Sequence, residues 1–215
     1  MFPAAALGVI YDHEKNDMKV FGGIETPMVA KNVADDSKCH MDDILSIDVS
    51  TDRKLVATGQ VGKAPSVHVW DSETCETKCY FKLKEGSRGV STLAISPCQR
   101  YVVAVDLHND HHVIIHNIKK NKQLLIIEGS KEKIVNVAWS KKPDDLRFCT
   151  IGLREFKFWN PADATKKLSV RGIFGSKAKQ TVFSCVTFDT EGLAYTAGAN
   201  GLVHIWDQGG QLEKT

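Results

Sequence analysis

Short apolar runs alternate with short polar ones along this chain, and few stretches keep a helical period. Ile44, Leu45, Ile47 and Val49 form one run, closed by Ser50-Thr51-Asp52-Arg53; residues 55–57, then a run ending in Trp70-Asp71, then Tyr80 and Phe81 follow it. The next unit repeats the order: Val90, Leu93 and Ile95, then 101–105, 113–115 and 124–127. A third has Ile134, Val135, Val137 and Trp139, then 148–151, Phe156 and Phe158, then Leu168 and Val170. A fourth has Val182, Phe183, Val186 and Phe188, then 193–197 and 202–205. Such runs, rich in β-branched and aromatic residues and punctuated by turn formers, predict strands and an all-β protein.

The runs share a landmark. An apolar, aromatic, polar ending recurs as GVIYD (8–12), VHVWD (67–71), VIIHN (113–117), FKFWN (156–160) and VHIWD (203–207). Its anchors Tyr11, Trp70, His116, Trp159 and Trp206 are separated by 59, 46, 43 and 47 residues. Three of those spacings match the blade of a WD40 β-propeller, about 40–45 residues. The expected fold is a partial propeller: four blades of four antiparallel strands plus a leading pair of strands. The expected organisation is trailing strands of a preceding blade at 1–21, a loop insertion at 22–39 and four repeats at 40–215. The aromatic ring suits the seam between sheets. The polar residue after it (Asp12, Asp71 or Asp207) suits a turn fixed by side-chain hydrogen bonds. His40, Thr58 and Trp70 are expected to form a buried polar chain inside the first full blade.

The segment GQVGK (59–63) resembles a phosphate-binding loop only superficially. Gly59 and Gly62 are too close, Lys63 precedes Ala64 rather than a hydroxyl residue, and Pro65 opposes the helix that should follow. A Gly-rich turn between strands is the expectation. The histidines His108, His111, His112 and His116 suggest a metal, but His116 stands where other units carry Trp, and no C-x-x-C supports zinc. No metal, cofactor or catalytic site is expected. No apolar run reaches 18 residues, so no membrane span is expected. The six cysteines are irregularly spaced, as reduced thiols in the cytosol would be.

Charge is unevenly placed. Residues 1–110 hold 12 Lys and Arg against 16 Asp and Glu, whereas residues 116–180 hold 15 against 6. The excess falls between strand-like runs, at Lys119, Lys120, Lys122, Lys131, Lys133, Lys141, Lys142, Lys166, Lys167, Lys177 and Lys179. Basic loops of this kind serve solubility or meet an acidic partner. No aromatics are interleaved with them, so nucleic acid is not the expected partner.

Longer stretches resemble the WD-repeat region of the echinoderm microtubule-associated protein-like family. They are GVIYDHEKND (8–17), HMDDILSIDV (40–49), VATGQVGKAPSVHVWDSET (56–74), RGVSTLAIS (88–96), EFKFWN (155–160), RGIFGSKAKQTVFSCVTF (171–188) and GANGLVHIWD (198–207). The resemblance implies a non-catalytic scaffold in the cytoplasm and cytoskeleton, in cilia or flagella among other places. It binds tubulin, microtubules or other microtubule-associated proteins, with the basic loops as the contact. The alternative is a generic WD40 adaptor in a different complex. Four units are too few for a seven- or eight-bladed ring. The chain is therefore expected to be part of a longer protein, or a half-propeller completed by a partner, or an unusual four-bladed ring.

Overall fold

A computed structural model describes residues 1–22, 38–163 and 168–215. Four sheets have four antiparallel strands each. The first blade is β4 (Ile44–Val49), β5 (Leu55–Gln60), β6 (Ser66–Asp71) and β7 (Thr77–Lys82). The second is β8 (Val90–Ile95), β9 (Tyr101–Asp106), β10 (His112–Asn117) and β11 (Lys122–Glu128). The third is β12 (Ile134–Trp139), β13 (Phe148–Gly152), β14 (Glu155–Trp159) and β15 (Ser169–Arg171), with a 3-10 turn at Pro161–Asp163. The fourth is β16 (Phe183–Phe188), β17 (Ala194–Gly198), β18 (Val203–Trp206) and β19 (Leu212–Lys214). Before them stands a sheet of three strands, β1 (Phe2–Ala4), β2 (Leu7–Asp12) and β3 (Asp17–Phe21), where the pattern predicted two. The 22–39 insertion lies almost wholly outside the described residues.

Within each sheet the strands lie side by side in chain order, and the first strands β4, β8, β12 and β16 are neighbours in turn. Together they wall an open concavity lined by Asp48, Thr92, Ala94, Asn136, Ala138 and Thr187. This is the arrangement of propeller blades around an axis, here an open arc. The hydrophobic core is accordingly divided among the gaps between sheets. Phe21, Val56 and Trp70 fill the first gap, and Val67, Val69, Phe81, Val90, Leu93 and Ile114 are among those that fill the second. Val105, Ile115, Trp139 and Phe148 fill the third, and Phe156, Phe158, Phe183 and Trp206 the fourth. Second and third strands are covered on both faces, so β9 and β10 read as near-continuous apolar runs, whereas outer β11 alternates.

Each first strand has a bulge one residue after it starts, between Ile44 and Ser46, Val90 and Thr92, Ile134 and Asn136, and Phe183 and Cys185. A second set precedes the landmark aromatic, at Val69/Trp70, Ile115/His116 and Ile205/Trp206. A bulge raises local twist. Its recurrence at one place in each blade turns the aromatic toward the seam.

Candidate functional site

The landmark residues are fixed from the turn upward. After each aromatic the polar side chain accepts amide hydrogens two and three, or two and four, residues on. Asp12 Oδ1 accepts from Glu14 and Lys15, Asp71 Oδ1 from Glu73 and Thr74, and Asp207 Oδ1 from Gly209 and Gln211. Asn117 and Asn160 make one such bond each, to Lys120 and Ala162. Three of these turns then need a left-handed residue, and Asn16, Cys75 and Asn121 supply φ of 50°, 57° and 44°. The amides that Asp71 accepts hold its carboxyl below the usual range.

The aromatic itself closes the seam. Trp70 stacks on Phe21 of the preceding sheet, ring centroids 4.6 Å apart and planes within 4°. His116 stacks on Phe81 in the same manner at 4.2 Å. Tyr11, in the leading sheet, is half exposed and bonds to Asn16. Each Trp also satisfies its indole: Trp70, Trp159 and Trp206 donate to Thr58, Thr150 and Thr196 at 3.1, 2.8 and 2.9 Å. In the first blade the chain continues. Thr58 Oγ1 is 2.7 Å from His40 Nε2, and His40 Nδ1 is 2.9 Å from Gln60 Oε1. With the indole donating to Thr58, the hydroxyl donates to Nε2 and Nδ1–H donates to Gln60. That directional chain requires neutral His40, and burial pushes its pKa down to about 4.

The segment that resembles a phosphate loop clasps two blades. Val61 forms a bridge with Gly89, and the amide of Gly62 donates to the Arg88 carbonyl at 3.1 Å. Gly59 packs where any Cβ would stand 2.5 Å from Val90 Cβ.

The basic residues fall at two ends of the blades. In an antiparallel sheet the first and third turns emerge at one end and the second at the other. Lys119, Lys120 and Lys122 belong to the third turn of the second blade, and Lys141 and Lys142 to the first turn of the third. Neighbouring blades share that end, since Arg147 in the first turn of the third blade donates to the Gln208 carbonyl in the third turn of the fourth at 2.8 Å. Lys131 and Lys133 precede β12 and stand at the opposite end, where Lys131 pairs with Asp110 of the second blade's second turn. Lys177 caps the carbonyls of Leu212 and Glu213 on the outer strand of the last blade, and Lys179 is exposed nearby in sequence. All but half-buried Lys142 are exposed among those described; Lys166 and Lys167 lie outside the described residues.

The histidines divide. His116 is held apart on Phe81 and Asn121, but the β9–β10 loop brings His108, Asp110 and His112 together, their ligand atoms within 4.8 Å of one another. The sequence signal was the spacing H-x-D-x-H, hidden by attention to the strand pair His112 and His116. All six cysteines are free thiols. Among the described residues no helix is long and apolar enough to cross a membrane.

Comparison with known proteins adds three findings. Residues 38–215 match the model of the first β-propeller of the echinoderm microtubule-associated protein. A ciliary WD repeat-containing protein, ctxp80, of Euplotoides octocarinatus is 41% identical over 203 residues, covering 94% of this chain and 28% of the relative. The 77 kDa echinoderm microtubule-associated protein of Strongylocentrotus purpuratus is 28% identical over 95% of the chain and 28% of its own length. The human echinoderm microtubule-associated protein-like 1 is 29% identical over 79% of the chain and 22% of its own length. The chain thus spans between a fifth and a third of the relatives it matches.

Proposed function

The chain belongs to the echinoderm microtubule-associated protein family, and from that premise we propose that it is a non-catalytic WD-repeat scaffold that binds microtubules or proteins bound to them. Its place would be the cytoskeleton, including the axoneme of cilia or flagella, a reading supported by the ciliary name of one relative. The observation that carries the proposal is the end of the second and third blades, where Lys119, Lys120, Lys122, Lys141 and Lys142 sit on turns anchored by blade packing. Fixed turns present charge at low ordering cost, and lysines complement an acidic protein surface. The buried polar groups described at the seams are engaged with one another, which suits a rigid mount for loops.

The test is co-sedimentation of the purified chain with stabilised microtubules across a salt series. Pelleting that falls steeply as salt rises supports a lysine-borne contact. A folded, soluble chain that stays in the supernatant at low salt removes direct binding and leaves the adaptor reading.

A further inference from the structure

The loop between β9 and β10 holds a constellation that neither the fold nor the proposed scaffold role uses. Asp106 closes β9 and is fully buried. Its Oδ1 accepts the amides of His112 at 2.7 Å and His108 at 3.2 Å, and its Oδ2 lies 3.0 Å from His112 Nδ1. A carboxylate there makes Nδ1–H the donor and leaves the lone pair on Nε2. This is the carboxylate–histidine arrangement that orients a metal-binding imidazole. The Nε2 lone pair faces the ammonium of Lys84 at 3.3 Å, a group with donors only.

Beside it, His108 Nδ1 accepts the Asp110 amide at 3.2 Å, which makes it a lone-pair atom, and it stands 3.4 Å from Asp110 Oδ2. Two acceptors at that distance have no proton between them. The separation is about that of two ligands on one tetrahedral ion with bonds of about 2.0–2.1 Å. The His108 and His112 rings are 4.6 Å apart. The second oxygen of Asp110 is taken by the ammonium of Lys131.

We propose that His108, Asp110 and His112 form a binding site for a divalent late transition metal of the zinc class, with Asp106 orienting His112 from behind. Two imidazoles and one carboxylate are a zinc-type donor set that leaves a fourth position for water. Charge supports the class: the two ammonium groups now on these donors carry together the charge of one divalent ion. Both lysines are exposed, Lys131 with 84% of its side chain in water, so displacing them costs little. His108 and Asp110 are each about a quarter exposed, which gives an ion access from solvent. The longest ligand separations must shorten by roughly 1 Å for tetrahedral bonding, a movement a five-residue surface loop can make. Bound metal would clamp this loop and release Lys84 and Lys131 at the end of the blade opposite Lys119.

Titration of the full chain with cobalt(II), followed by its visible d–d bands, tests the site, with zinc competition and calorimetry giving affinity. The expected result is one equivalent bound with the band intensity of a four-coordinate ion and no thiolate charge-transfer band, the latter separating this site from the free cysteines. His108→Gln and Asp110→Asn, both at half-exposed loop positions, should each weaken binding at least tenfold while leaving the circular dichroism unchanged. No binding, a thiolate band, or affinity unchanged in both variants would overturn the proposal.

Discussion

Thr58 carries two partners in one hydroxyl, and this makes it the most informative single residue. It accepts from the Trp70 indole and donates to His40, all three side chains being buried. Thr58→Val keeps the shape and strands both partners, so it should cost about 1–3 kcal/mol in urea denaturation. His40 adds a pH dependence. Its folded pKa is about 4 against 6.5 unfolded, because burial disfavours the cation. Between those values the unfolded chain takes up a proton that the folded chain refuses. The stabilisation is therefore whole above about pH 6.5 and declines by up to about 3 kcal/mol as pH falls to 4. Denaturation at pH 7 and pH 4.5 checks this, and His40→Gln should flatten much of the difference. The partners of His40 were legible in the sequence because they recur at blade spacing. The His108–Asp110–His112 group was not, since its members meet through a loop and a buried aspartate that no period marks.

Blades are held to one another through the faces of their second strands, and there the spaces are tight. A Cβ at Gly59 would meet Val90 Cβ at 2.5 Å and Ser46 Oγ at 2.7 Å, on the seam between the first two blades. Gly59→Ala should lower stability by about 1–3 kcal/mol, seen as a lower thermal midpoint with unaltered strand content. The long strands were readable because burial on both faces forces apolar runs such as 101–105 and 113–115. The short ones were not. β1 contains Pro3, which cannot donate to a ladder, and β19 spells Leu-Glu-Lys with two of three residues exposed. Their pairing comes from the neighbouring strand, through Phe2↔Val9 and Trp206↔Leu212. The bulges were also hidden, since register belongs to two strands at once.

At the scale of the whole molecule the lysines no longer form one patch. Reversing Lys119, Lys120 and Lys122 to Glu should weaken microtubule pelleting roughly tenfold, from about 0.5 kcal/mol per charge, and flatten its salt dependence. Reversing Lys131 and Lys133, at the opposite end, should leave it nearly unchanged. Equal losses from both sets would mean that net charge, rather than one end of the blades, governs binding. Composition revealed the basic excess; only the alternation of turn ends divides it. The open arc has one more consequence. Each sheet is packed chiefly on the sheets beside it, as in a row of dominoes, so the folding free energy is nearly a sum of nearest-neighbour couplings. The second and third blades have a full neighbour on both sides. The fourth has one, and it leaves Val182, Leu202 and Val203 facing water. Loss of structure would then spread inward from the ends, and the middle of the row, where the lysine-bearing turns stand, would be the last part to let go.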